Sequence, residues 1–289
     1  MKILITGAKG QLGSELRNVL EERMPGVTDY IDREELDLTD RGAVEAFLRR
    51  GEYTHVVNCA AYTAVDRAEE EKLECAAVNI DAIANIARVA EELSLKIIHI
   101  STDYVFDGRT CKPYLESDKV NPMSQYGTTK RKGETALLGL APDSIIIRTG
   151  WLYSPYGRNF VKTILRLSAS EPSLRVVSDQ IGTPTYAADL ADAIYTVLSS
   201  RQWTAGIFNF SNEGVCSWYD FAVSIQRLAG ITNCPVKPIR TSDYPTAAER
   251  PFYAVLDKGR YRATYQKSIP HWEESLAKCI KRIQNDNEQ

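Results

Sequence analysis

Tyr126 and Lys130, in Tyr126-Gly-Thr-Thr-Lys130, are the side chains whose types and spacing suggest chemistry most directly. At i and i+4 on a helix, a phenol and an ammonium share one face and lie within mutual reach. Reduction of a ketone needs a proton delivered to oxygen as hydride reaches carbon. A free tyrosine titrates at about 10, and a neighbouring Lys⁺ favours the phenolate and brings the acid closer to neutral pH. Lys130 is also placed to hold the ribose hydroxyls of a nicotinamide. The same spacing occurs on solvated helix faces, so position decides. Upstream, at the end of the apolar run Lys96–Ser101, stand Ser101-Thr102-Asp103-Tyr104. A Thr102 hydroxyl at such a strand end can bond a substrate carbonyl and polarise it.

A second constellation lies at the N-terminus. Gly7-Ala-Lys-Gly10-Gln11-Leu12-Gly13 follows an apolar strand and opens a helix, so its glycines allow a tight turn and close backbone approach to a pyrophosphate at the helix N-terminus. Asp32-Arg33 follows the next strand. The acid suits an adenosine ribose diol and the cation a 2′-phosphate, which leaves NADH and NADPH both open. Asp37-Leu38 lies where an adenine contact is expected, though Asp37 also reads as an ordinary helix-start residue. Asn58-Cys-Ala60-Ala61 follows the third apolar run, at the carboxyl edge where a dinucleotide would cross the sheet.

These residues need a scaffold, and the chain supplies an α/β one. Apolar runs at Lys2–Thr6, Val27–Ile31, His55–Ala61, Lys96–Ser101 and Ser144–Thr149 alternate with amphipathic stretches such as Ala76–Leu93. The pattern predicts a Rossmann-type doubly wound parallel sheet with right-handed crossovers, joined to a smaller α/β C-terminal substrate lobe. Residues 1–150 are expected to form the dinucleotide-binding domain, with 175–215 returning to it through a helix at Tyr186–Leu198 and a strand at Gly206–Ser211. Residues 151–174 and 216–289 are expected to form the lobe, and Asp286–Gln289 a frayed tail.

Composition narrows the class further. A net charge of −3 over 289 residues argues against nucleic-acid or membrane binding, so any cationic site must be local. The six cysteines stand singly, with no Cys-x-x-Cys, and a reduced cytoplasm is expected. Ile3–Thr6 is too short for a signal segment and no long apolar run follows, so neither export nor membrane spanning is expected.

The motifs together resemble the dTDP-4-dehydrorhamnose reductase family, within the extended short-chain dehydrogenase/reductases. The resemblance runs through Thr6-Gly-Ala-x-Gly10-Gln-Leu-Gly13, Asn58-x-Ala-Ala61-Tyr-Thr-Ala-Val65-Asp66, Ser101-Thr-Asp-Tyr-Val-Phe-Asp-Gly108, Tyr126-Gly-x-x-Lys130, Arg148-Thr-x-Trp151, Asp179-Gln-x-Gly182-x-Pro184-Thr185 and Arg250-Pro251 with Leu256-Asp257. It implies NADPH- or NADH-dependent reduction of the 4-keto group of a dTDP-4-keto-6-deoxy-L-sugar to dTDP-L-rhamnose. Tyr126 is then the proton donor and Lys130 its partner. Thr102 and Asp103 become carbonyl and sugar contacts, and Ala61, Tyr62 and Thr63 line the nicotinamide side with Ala60. Trp151 is implied to pack on the sugar, although a tryptophan after a strand is also an ordinary core residue. Arg250 is implied as a pyrophosphate clamp, with a plain surface arginine as its other reading. The resemblance further admits a homodimer and Mg²⁺, for which Glu15 and Asp189 would be carboxylate ligands, without assigning a metal site. Ala254 stands where the family's Arg-Pro-x-x-Ser-x-Leu-Asp pattern has serine. Tyr104 stands where a 4,6-dehydratase needs a carboxylate. A non-catalytic relative, resembling the regulatory subunit of methionine adenosyltransferase, is the competing class, and it places no demand on Thr102, Tyr126 and Lys130 together. A reductase of another sugar nucleotide is the remaining alternative.

Overall fold

The apolar runs of the first half become neighbouring parallel strands in a computed structural model that describes residues 1–287. The chain opens as β1 (Ile3–Thr6), α1 (Gln11–Arg23), β2 (Thr28–Ile31), α2 (Arg41–Gly51) and β3 (His55–Asn58). It continues with α3 (Lys72–Ala76), a π-helical turn over Ala77–Asp81, α4 (Ala82–Arg88), β4 (Lys96–Thr102), α5 (Gln125–Leu140) and β5 (Ile145–Thr149). Next come β6 (Leu152–Tyr153), α6 (Phe160–Ser170), β7 (Leu174–Val177), β8 (Ile181–Gly182), β9 (Thr185–Tyr186) and α7 (Ala187–Ser199). The chain closes with β10 (Gly206–Asn209), β11 (Cys216–Ser217), α8 (Trp218–Ala229), β12 (Val236–Ile239), α9 (Gly259–Tyr265) and α10 (Trp272–Asn287).

The six-stranded sheet has the order β10-β5-β4-β3-β1-β2, and every pairing in it is parallel. Order reverses between β1 and β3, and a dinucleotide binds at such a switch, beyond the carboxyl ends of the strands. Helices cover both faces, which is why the strands read as continuous apolar runs. On one face α1 (Leu12, Leu16, Leu20) and α7 (Leu190, Ile194, Val197) pack on Ile3, Ile5, Val57 and Ile98. On the other, α2 (Val44, Leu48), α4 (Ile83, Ile86) and α5 (Leu137) pack on Leu4, Val56 and Ile97.

A third apolar cluster gathers Tyr153, Val161, Ile164, Leu174, Phe221, Ile225, Trp272, Leu276 and Ile280 into the smaller lobe. The strand within the expected 175–215 return behaves differently from the rest of that segment. β7 pairs in parallel with β12 in a separate two-stranded sheet, while β10 joins β5 in the main sheet. Here β7 extends the lobe, because its apolar residues face α6 and α8. The tail expected at 286–289 begins inside α10, and its last two residues lie outside the described ones.

Candidate active site

The glycine turn is built by close approach. Gly7 has φ +65°, and a Cβ there would sit 2.7 Å from the Ala60 nitrogen. A Cβ on Gly13 would lie 2.4 Å from the Gly7 carbonyl oxygen, so α1 starts as near the turn as backbone allows. Gly10 caps α1 with its backbone alone, leaving the first-turn N–H groups of Gln11, Leu12 and Gly13 to face an anion. A cavity of about 490 Å³ opens beside this turn, lined by Gly7, Asp32, Arg33, Leu38, Ala61 and Tyr62 among others. Its position at the glycine turn and the free N–H groups there fit the diphosphate of a dinucleotide.

Inside that cavity the acidic residues hold backbone. Asp32 accepts from the Lys9 N–H at 3.0 Å and the Arg33 N–H at 2.9 Å, which fixes the rim of the turn. Asp37 accepts from both the Thr39 N–H and its hydroxyl, and these bonds hold its carboxyl below the usual range. Arg33 stays extended toward solvent, 3.9 Å from Asp37 and from Glu74. Tyr62 and its neighbour Thr63 follow β3, and Asn79, in the π-helical turn, clamps the Tyr62 main chain by accepting from its N–H at 2.9 Å and donating to its carbonyl at 3.2 Å.

At the carboxyl end of β4, Thr102 donates to Asp103 at 3.0 Å and accepts from the Tyr104 N–H at 3.2 Å. Asp103 is 2% exposed, and burial pushes its carboxyl up to about 7. It lies against Gly150, where a Cβ would be 2.3 Å from its oxygen. Tyr126 enters from α5, whose start is set by Ser124 accepting from the Gly127 N–H. Burial raises the Tyr126 phenol, the nearby Thr102 hydroxyl pulls the other way, and Asp103 raises it further. Tyr104 packs edge-on against the Tyr126 ring at 5.5 Å.

Lys130 shares the Tyr126 face but does not pair with the phenol. Its ammonium donates to the Ile100 carbonyl at 2.6 Å and lies 3.3 Å from His99 Nε2. Among the described residues no hydrogen bond joins it to Tyr126. A buried amine takes the nearest strong acceptor, here a strand carbonyl. Burial pulls Lys130 down to about 8, against the opposing pull of Glu134.

On the lobe side, Trp151 has φ +49°, a strained left-handed conformation for a non-glycine residue, and its ring stacks on Trp218 at 3.5 Å and 11°. Trp218 and Phe160 line a second cavity of about 540 Å³, whose lining includes Gln180, Tyr244 and Arg250. Arg250 is not the free clamp expected. Its guanidinium is bidentate on Asp66 at 2.6 and 3.0 Å, joining the segment after β3 to the C-terminal segment.

The carboxylates considered for Mg²⁺ are engaged by partners within the chain. Glu15, 1% exposed, accepts from Arg282 at 2.9 Å, and Asp189 accepts from Asn212 and Ser275. A guanidinium already supplies the cation, and the described residues contain no cluster of three His, Cys, Asp or Glu side chains arranged to hold a metal.

Over residues 1–285 the chain matches the family model described as RmlD substrate binding domain. The chain belongs to the dTDP-4-dehydrorhamnose reductase family. A dTDP-4-dehydrorhamnose reductase of Aggregatibacter actinomycetemcomitans is 38% identical over 286 residues, covering 95% of this chain and 97% of that relative. The structure of a dTDP-4-dehydrorhamnose reductase from Clostridium acetobutylicum superposes with a TM-score of 0.93 at 42% identity, covering 98% of this chain and 100% of the other. One from Bacillus anthracis, solved in complex with NADP, gives a TM-score of 0.93 at 36% identity over the same shares. Within this dTDP-4-dehydrorhamnose reductase family member, motif reasoning reached the glycine turn and the Thr102, Tyr126 and Lys130 group. It missed His99, Asn79 and Trp218. The available signal was a polar side chain inside an apolar strand run for His99, and none for the other two.

Proposed function

We propose that this protein reduces the 4-keto group of dTDP-4-dehydro-L-rhamnose with NADPH or NADH, giving dTDP-L-rhamnose. The observation that carries the reading is Tyr126 placed near enough to Thr102, at the end of β4, for the hydroxyl to act on its phenol, beside the glycine-turn cavity at the sheet's switch point. Tyr126 packs with Tyr62, which lines that cavity, and Tyr104 feels the charge of Arg250, which lines the lobe cavity. These neighbours support placing the reacting groups between the two cavities.

The cofactor, when bound, supplies the hydride. The chain's own residues handle the oxygen. Thr102 bonds the substrate carbonyl, Tyr126 gives its phenolic proton to the emerging alkoxide, and the Lys130 ammonium stabilises the charge left on the phenol. Asp103 accepts from a sugar hydroxyl. The indole face of Trp151 meets the apolar side of the deoxyhexose once Trp218 gives way. Arg250, with N–H groups not used by Asp66, holds the diphosphate at the cavity mouth. Six free thiols suit a cytoplasmic setting, and association as a homodimer is part of this reading, to be checked by sedimentation.

The test is loss of reduced-nicotinamide absorbance with either cofactor and the 4-keto nucleotide generated in situ. Oxidation yielding dTDP-rhamnose is expected, with Tyr126→Phe lowering turnover about 10²–10⁴-fold while cofactor affinity changes little. A folded protein that binds cofactor yet oxidises neither would move the reading to a binding-only role.

A further inference from the structure

We infer that His99 is a positioning residue for the reduction: its buried imidazole, anchored through Asn58 to Thr6, aims the ammonium of Lys130 at the reacting groups. The inference deepens the proposed function and rests on the Tyr126 and Lys130 roles given there.

The geometry is one rung of the sheet. Thr6 on β1 pairs with Asn58 on β3, which pairs with His99 on β4. Two residues earlier on the same three strands, and on the same face, stand Leu4, Val56 and Ile97, all core. A polar rung in that position is costly unless every group is bonded. Here the four side chains stand within bonding distance of one another in a line. The Thr6 hydroxyl and the Asn58 amide lie 2.6 Å apart, Asn58 and His99 Nδ1 3.0 Å apart, and His99 Nε2 and Lys130 Nζ 3.3 Å apart. All four side chains are 1% exposed.

The donor count gives the device its purpose. An ammonium has three N–H donors and no acceptor. The Ile100 carbonyl takes one and His99 Nε2 a second, so the third has a single direction left, outward from the rung. Nε2 accepts only if the ring proton sits on Nδ1, facing the Asn58 oxygen. As placed, Asn58 Nδ2 faces His99 Nδ1 and Asn58 Oδ1 accepts from the Thr6 hydroxyl, which would put the ring proton on Nε2 against the ammonium; a half-turn of the amide, whose two ends are nearly the same size, removes that clash and leaves the Thr6 hydroxyl to accept instead. Burial, with the Lys130 charge beside it, holds His99 well below its ordinary value, so the ring stays neutral. The other titratable groups facing Lys130 are Glu134 on its own helix, Cys59 after β3 and Cys75 on α3, while Tyr126 faces Asp103 and Cys75.

The experiment compares the full-length chain with His99→Leu and His99→Gln. Removing the acceptor should lower kcat about 10–100-fold, the worth of a hydrogen bond to a charged group. The KM for the sugar nucleotide should hold. The basic limb of the kcat–pH profile should move to lower pH, because the charged lysine has lost a partner. His99→Gln, whose amide oxygen can reach the place of Nε2, should restore the limb and most of kcat. Circular dichroism and NADPH fluorescence titration establish that each variant folds and binds. A folded His99→Leu with unchanged kcat and limb overturns the inference, as does an equal loss in both variants with the limb unmoved. If the unmodified chain shows no turnover, the Tyr126 and Lys130 reading fails instead. The His99 contact is then read by NMR titration of Lys130, where an identical midpoint in His99→Leu and the unmodified chain sinks it.

Discussion

Asp103 is a buried carboxylate whose ionisation costs the fold. Its carboxyl is closed off by Gly150 and by its own strand end, and burial raises it to about 7. A raised carboxyl destabilises the folded state where it is ionised. The penalty is full above about pH 7 and is relieved as pH falls toward the ordinary ~4 of an exposed aspartate. Asp103→Asn keeps an acceptor for Thr102 and removes the charge. We expect it to gain roughly 1–4 kcal/mol of stability at pH 8, shrinking toward zero near pH 4, while turnover falls. Thermal melts at the two pH values check the sign: a gain independent of pH would show the carboxyl to be unshifted, and one that grows toward acid would show it lowered.

At the scale of elements, one buried carboxylate ties α5 to two strands of the sheet. Glu134 accepts from Arg148 twice at 2.8 Å and from Ser101 at 2.6 Å, tying α5 to β5 and β4. Burial would raise Glu134, but these partners bring it below its ordinary value. Glu134→Gln leaves the Arg148 charge uncompensated and should cost about 3–5 kcal/mol. The urea midpoint should drop with its slope unchanged, and an unchanged midpoint would mean the pair is replaceable. The sheet strands were legible in the sequence because burial on both faces makes them continuous apolar runs. The two-residue strands β6, β8, β9 and β11 were not, since two residues carry no period. The π-helical turn at Ala77–Asp81 was hidden inside an alanine-rich helical rhythm. The glycine turn and Tyr126 with Lys130 could be read because their partners are local. Asp66 with Arg250, Glu15 with Arg282 and Trp151 with Trp218 could not, because only the fold brings them together.

At the scale of the whole molecule, those long-range pairs fasten the sheet to the C-terminal third. Arg282 on α10 reaches Glu15 on α1 at 2.9 Å and the Tyr186 hydroxyl at 2.5 Å. Burial raises the Glu15 carboxyl against the pull of Arg282. Because an arginine occupies that carboxylate, added Mg²⁺ or a chelator should leave melting temperature and turnover unchanged. Arg282→Ala, by contrast, should cost about 1–3 kcal/mol, since Glu15 is left buried without its partner. A chelator that lowers either quantity would show a metal bound elsewhere. The indole pair has a different consequence. Two indoles 3.5 Å apart and nearly parallel couple their electronic transitions and quench each other's emission. A ring-shaped ligand that parts them uncouples them, so if the sugar binds Trp151 as proposed, its arrival should be readable in the protein's own ultraviolet fluorescence, without any label.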